Sequence, residues 1–260
     1  MCGRYTLTHD PDAIADAFDA IRESGFERSF NLCPTQLAPV VGLRDGMRVL
    51  RCFRWGLVPS WSRDTSSAAK CVNARSETAA EKPSFRVPVR RRRCLVPADG
   101  FFEWLPSPTG KVPHHFHRRD RALVAFAGLW DEWKGPGGPL RTFCVVTVPP
   151  NALVTPIHDR MPAVLSPEAQ AAWLAPDTPP EALQALLVPW DPAAWECYPV
   201  DRRVRSTSFN EPACVEPVGA LTTDGATAPA SRARRPAEAS TTRELFPRSG
   251  GSAPPARPGG

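Results

Sequence analysis

Residues 123–148 read LVAFAGLWDEWKGPGGPLRTFCVVTV. Two runs rich in Val, Phe, Trp and Thr, residues 123–130 and 142–148, flank the punctuating segment Gly135-Pro136-Gly137-Gly138-Pro139. That arrangement predicts two strands joined by a turn. Shorter strand candidates lie on either side: residues 1–9 around Tyr5 and Leu7, then Met47–Trp55, and residues 94–97, 163–165 and 198–204. Helix signals are fewer. Asp10-Pro11 precedes Ala13, Ile14, Ala17, Phe18 and Ile21 at helical spacing, Ser166-Pro167-Glu168 is a second start, and residues 180–187 form a short third. Residues 24–46 read as irregular, 62–70 as a flexible loop and 105–112 as a hairpin loop. Many strands with few, peripheral helices predict an α+β fold built on a mixed or antiparallel, barrel-like β core.

Composition bounds the rest. Hydrophobic residues at 42% and charged residues at 23% suit a soluble globular domain large enough to bury a core. No run of about 18 apolar residues occurs, and MCGRYTLTHD has no apolar signal core, so neither a membrane span nor secretion is expected. The eight cysteines are scattered without a C-x-x-C pair, which argues against a zinc ribbon or a thioredoxin-type site and for a reducing, cytoplasmic compartment. The net charge of +5 is uneven: residues 219–260 hold six arginines and three acids, leaving only +2 for residues 1–218. That tail is rich in Ala, Pro, Gly, Ser, Thr and Arg, and its only large apolar side chains are Leu221, Leu245 and Phe246. It is expected to be disordered, which divides the chain into a folded domain, 1–218, and a tail, 219–260.

The chemistry starts at Met1-Cys2-Gly3-Arg4. Removal of Met1 would make Cys2 the terminus and give one residue both a thiol and an α-amine. The amine, with an ordinary pKa of about 7.7–8.0, is partly neutral at pH 7. Such an aminothiol condenses with an aldehyde to an imine, and the thiol then closes a thiazolidine ring. Other residues could serve that chemistry. Glu103 lies between aromatic neighbours in Phe101-Phe102-Glu103-Trp104, a setting that raises a carboxyl pKa toward general acid/base use. His158 is a candidate proton shuttle. Asn73 and Arg75, two apart, would share one strand face. Each also has a structural reading: an exposed strand Glu, a surface His paired with Asp159, an Asn in a turn beside a solvated Arg. Phosphate-loop, dinucleotide, zinc-protease and serine-elbow motifs are absent, and no metal or cofactor is expected.

Six segments in order, Met1-Cys2-Gly3-Arg4, Asn31-x-x-Pro34, Trp55-Gly56-Leu57-x-Pro59-x-Trp61, Asn73-Ala74-Arg75-x-Glu77-Thr78, Asp99-Gly100-Phe101-x-Glu103-Trp104 and Ile157-His158-Asp159-Arg160-Met161-Pro162, resemble the SOS response-associated peptidase (SRAP) family. The resemblance spans about residues 2–218. It implies a protein that acts on single-stranded DNA containing abasic sites, crosslinks to them through Cys2 and shields the lesion during the DNA-damage (SOS) response. It also implies a peptidase label tied to self-processing that exposes Cys2, with abasic-site lyase chemistry as a side reaction. On this resemblance Asn73 orients the Cys2 amine, Glu103 moves protons, and His158 assists sugar ring opening or reversal. Arg4 and Arg75 hold phosphates, with arginines of the 86–93 run as further candidates. Trp61 and Phe101 stack on bases, and Pro34 and Thr147 line the groove. Where relatives often carry a second aromatic after Trp61, this chain has Ser62; Cys33 beside Pro34 puts a second thiol near the groove. The expected state is a monomer in the cytoplasm, nucleoid-associated on damaged DNA, with replication or repair proteins as further partners.

Three rival readings stay open on sequence alone: an N-terminal-cysteine amidohydrolase such as a glutaminase, a thiol peptidase using Cys2 and His158, and a binding module in which Cys2 is inert.

Overall fold

The computed structural model describes residues 2–219. Its longest hairpin is the stretch quoted above: Val124–Gly135 runs antiparallel to Gly138–Val148, in register from Gly128↔Val145 to Gly135↔Gly138. Gly138 adopts φ +97°, a left-handed conformation that costs an L side chain energy, so a glycine closes this turn.

The hairpin is the centre of a closed ring. Val124–Gly135 pairs on its other edge with Arg93–Ala98, which touches Leu37–Arg44 at Val41↔Leu95. Leu37–Arg44 forms a second hairpin with Met47–Trp55. Met47–Trp55 then returns to Gly138–Val148 through a parallel contact, Thr142↔Arg54 and Phe143↔Trp55. Five strands thus close on themselves, which removes the exposed edges of an open sheet. Trp55 stacks on Phe143 at 6.3 Å and meets Tyr5 edge-on at 5.0 Å, all three without exposed surface.

A second, five-stranded antiparallel sheet runs in the order Trp195–Pro199, Val112–Arg118, Gly100–Leu105, Tyr5–Leu7, Ser29–Leu32. Because side chains alternate across a strand, its two faces differ. Phe101, Phe116 and Trp195 join the main core, while Phe102 and Tyr198 pack with Val200, Val204 and Cys214 in a smaller one. Helices are short and few: Pro11–Ala17, Arg86–Arg91, Pro167–Leu174 and Pro180–Ala185. The fold is α+β around a barrel, as expected from the strand-rich sequence. Among the described residues no helix is long and apolar enough to cross a membrane.

Three local expectations are corrected. Residues 24–46 are not irregular, since they contain Ser29–Leu32 and Leu37–Arg44. Pro39 is tolerated within Leu37–Arg44 because the strand lacks a regular second partner there. The last strand ends at Pro199, and Arg202–Arg205 is a 3-10 turn capped by Asp201, whose carboxylate accepts from the Arg203 N–H at 2.8 Å. Ile21, read at helical spacing, lies beyond the helix Pro11–Ala17 in the short strand Ile21–Arg22. The expected tail lies, but for Gly219, outside the described residues.

Close packing where the ring's strands meet gives one test. A Cβ on Gly128 would sit 2.7 Å from Cys94 Sγ and 2.8 Å from Val96 Cγ2. Gly128→Ala is expected to destabilise the protein by about 1–3 kcal/mol through overpacking. Thermal unfolding should show a Tm several degrees lower; an unchanged Tm contradicts the packing.

Candidate active site

The strand Tyr5–Leu7 is held between Phe101 and Leu32 in the small sheet, which fixes the residues just before it. The Phe102 N–H donates to the Arg4 carbonyl at 3.0 Å. Cys2 is thereby placed in the core with no exposed surface, its thiol directed at the Arg4 carbonyl 3.7 Å away. Burial, and then the neighbouring Glu103 carboxyl, push the Cys2 thiol far above its ordinary pKa. The sulfur is accordingly a thiol and not a thiolate at neutral pH.

Asn73 and Glu103 meet Cys2 from separate elements, and His158 meets Glu103. Asn73 opens the strand Asn73–Arg75, which lies parallel to Gly138–Val148 with Asn73 opposite Val145. Its Nδ2 donates to the Cys2 carbonyl at 2.8 Å, and its buried Oδ1 has no hydrogen-bond partner among the described residues. Glu103 comes from the small sheet, opposite His114, and is 2% exposed. Burial raises its pKa to about 7. His158 comes from the 149–160 segment, where Asn151 Oδ1 accepts from the Leu153 and Val154 N–H groups and the His158 N–H donates to the Val154 carbonyl. Its Nε2 lies 3.9 Å from Glu103 Oε2, and burial lowers its pKa. A carboxyl pushed up and an imidazole pushed down, side by side, are brought closer in proton affinity and can exchange a proton.

The DNA-contact expectations divide. Trp61 is 65% exposed at the end of a loop anchored by Gly56, whose N–H donates to Phe143 O and where an added Cβ would strike the Ala68 carbonyl at 2.8 Å. Arg75 is exposed, so one face of its strand runs from buried Asn73 to solvent. Pro34 is half-buried beside Thr35, which holds φ +74°. One residue is corrected. Phe101 has no exposed surface and stacks on Phe116 at 4.8 Å, so no base can reach its ring. Thr147 is as fully buried as Cys2, with its hydroxyl toward the Ala74 carbonyl.

Arg4 is half-buried. Its guanidinium donates to Asn31 Oδ1 at 2.9 Å, Val204 O at 2.6 Å and Arg205 O at 2.9 Å, which occupies three of the five donors an arginine carries. These bonds fasten residues 204–205. Asn31 does the same, its Nδ2 donating to Val204, Ser206 and Phe209 carbonyls. Cys33 is 2% exposed with its thiol raised by burial, which disfavours reaction. The 86–93 arginines split: Arg93 is buried on backbone carbonyls and Arg92 pairs with Asp131, while Arg86, Arg90 and Arg91 stay exposed. Among the described residues no cluster of His, Cys, Asp and Glu could hold a metal. Sequence reasoning gave no role to Glu77 and Arg160, whose adjacency needs the fold.

Comparison with known proteins bears on this arrangement. Residues 1–207 match the family described as SOS response associated peptidase (SRAP). The chain is 41% identical over 223 residues to "Abasic site processing protein YoqW" of Bacillus subtilis (strain 168), covering 83% of this chain and 99% of that protein. It is 32% identical over 232 residues to "Abasic site processing protein HMCES" of Gallus gallus, covering 76% and 68%. The crystal structure of a protein from Bacteroides thetaiotaomicron superposes with a TM-score of 0.77 at 28% identity, over 84% of this chain and 100% of that one.

Proposed function

The chain belongs to the SOS response associated peptidase family, and from that membership we propose that it processes abasic sites in single-stranded DNA by forming a covalent thiazolidine through Cys2. The observation that carries the reading is that Asn73 and Glu103 meet Cys2 from separate elements while His158 meets Glu103.

The chemistry follows from the protonation states. With Met1 removed, the Cys2 α-amine is the stronger nucleophile at neutral pH, because the buried thiol keeps its proton. The amine attacks C1′ of the ring-opened sugar. The free Oδ1 of Asn73 is available to accept an amine N–H and aim its lone pair. Glu103, protonated up to about pH 7, donates to the departing hydroxyl, which leaves as water and yields the imine. The thiol then adds to the imine carbon while its proton passes to the imine nitrogen, with the Glu103 carboxylate as relay. The sum is aldehyde plus aminothiol giving thiazolidine plus one water. His158, beside Glu103, supplies or removes the proton when the sugar ring opens. Ring closure consumes the imine from which β-elimination would cut the strand, so the lesion stays intact.

Intact-mass measurement after mixing the processed chain with an abasic single-stranded oligonucleotide tests this. The expected product has the summed mass less one water and survives denaturation without a reductant. A species trapped only by borohydride would mean the chemistry stops at the imine, and glutamine turnover would favour the amidohydrolase instead.

Strand binding rests on the exposed surface. Trp61→Ala is expected to weaken binding of unreactive single-stranded DNA by about 1–3 kcal/mol, the usual worth of one base stacked on an aromatic ring. Fluorescence anisotropy should show Kd rising roughly five- to 150-fold with Tm unchanged, since Trp61 is 65% exposed. An unaltered Kd removes Trp61 from the interface.

A further inference from the structure

Arg160 is 8% exposed, and its two terminal nitrogens grip Glu77 in a bidentate pair, NH1 to Oε1 at 2.6 Å and NH2 to Oε2 at 2.9 Å. NH2 also donates to the Thr147 carbonyl, which takes a second hydrogen bond from the Ser76 N–H at 2.9 Å. Glu77 lies four residues beyond Asn73, and Arg160 two beyond His158. One ion pair therefore joins the segment carrying Asn73 to the segment carrying His158. A bidentate guanidinium–carboxylate contact fixes orientation as well as distance, which a lysine or a single hydrogen bond does not.

The backbone of Arg160 touches the histidine directly. Its N–H donates to His158 Nδ1 at 3.0 Å. A nitrogen that accepts a hydrogen bond carries no proton, so the neutral ring bears its hydrogen on Nε2, the atom 3.9 Å from Glu103 Oε2. Asp159 Oδ1 also lies 3.0 Å from Nδ1, but its side chain is 80% exposed and free to turn into solvent, whereas the anchored backbone N–H is not.

We propose that the Glu77–Arg160 pair is a positioning device for His158, holding it as the Nε2–H tautomer with that hydrogen toward Glu103. Neither residue need touch the reacting atoms. This deepens the proposed chemistry and rests on it only for the rate, because the tautomer is a property of the protein alone. The clamp keeps the 158–160 backbone in register with the Asn73 strand. Released, the Arg160 N–H drifts from Nδ1, and Asp159 draws the proton to that nitrogen instead.

The test uses chain labelled with ¹⁵N in its histidine rings, without DNA, at a pH where His158 is neutral. The unmutated protein should show one protonated Nε2 and one bare Nδ1 for His158. Glu77→Ala should give averaged nitrogen shifts from two exchanging tautomers. Its adduct formation with abasic single-stranded DNA should slow by roughly tenfold or more, the scale set by displacements of an ångström or less, with affinity for unreactive DNA unchanged. Glu77→Asp, which keeps the charge, should recover part of both. If the alanine variant does not fold, isosteric Glu77→Gln carries the test and must show the same loss of tautomer bias. Unmutated-like ring shifts in a folded Glu77→Ala or Glu77→Gln variant would overturn the proposal. A tautomer change with no loss of rate would overturn its link to reactivity. An unmutated chain that forms no adduct would instead sink the proposed function, leaving the ring assignment standing.

Discussion

Cys2→Ala is expected to abolish the stable adduct with abasic single-stranded DNA while leaving a borohydride-trappable one. The variant keeps an α-amine in the same place, since Asn73 holds residue 2 through its backbone carbonyl and not its side chain. Imine formation should therefore survive. Ring closure cannot, because alanine has no second nucleophile, and the imine then persists long enough for β-elimination. The expected readout is loss of the denaturation-stable mass together with gain of a cleaved strand. The fold should tolerate the change: Cys2 is fully buried, and removing one sulfur leaves a methyl-sized void worth about 1 kcal/mol. Cys2→Ser separates the two roles further, because a hydroxyl adds to an imine far less readily than sulfur does. An unreduced, stable adduct on Cys2→Ala would sink the thiazolidine. Absence of any trappable species would show that the amine is not the first nucleophile.

What the sequence could and could not reveal divides along the range of the interactions. The 123–148 hairpin was legible because its apolar runs and its Gly-Pro turn are local signals. Leu37–Arg44 was hidden, since its strand character comes from pairing along its length with Met47–Trp55, while Pro39 speaks locally against it. At the site, Cys2, Asn73, Glu103 and His158 were named from motifs, and the fold gathers them. Phe101 is expected at DNA only on the family resemblance, and an aromatic two residues before Glu103 looks the same in sequence whether it faces DNA or the core. Only the strand's alternation and the stack on Phe116 decide the face. Arg4 was read as a charge for phosphate, and its partners at 204–205 lie 200 residues away in sequence. Glu77 and Arg160 are 83 residues apart, and nothing local announces their pairing.

Glu103→Gln is expected to slow adduct formation by about 10²–10⁴-fold, the usual contribution of a positioned acid/base group, while making the folded protein more stable at alkaline pH. Both effects have one cause. Glu103 is 2% exposed, and burial raises its carboxyl from 4.5 to about 7. Below pH 4.5 the group is protonated in the folded and unfolded chains alike, and its ionisation costs the fold nothing. Between 4.5 and about 7 the unfolded chain ionises first, so stability falls as pH rises. Above about 7 the buried carboxylate costs the folded state about 3 kcal/mol, at 1.36 kcal/mol per pKa unit. Glutamine, neutral throughout, escapes that cost. Denaturant unfolding should show the variant and the unmutated protein converging near pH 4 and separating toward pH 8, with the variant more stable. The reaction runs against this trend, because the acid that expels water must still hold its proton while the Cys2 amine has lost one. The rate should thus rise as the amine deprotonates and fall as Glu103 ionises, giving a bell whose descending limb disappears in Glu103→Gln. A variant that reacts at the unmutated rate, or keeps the descending limb, would remove Glu103 from the chemistry. One that gains no alkaline stability would show that the carboxyl is not held up by burial. If both trends hold, the same buried carboxyl that weakens the fold above neutral pH is the group that drives the reaction.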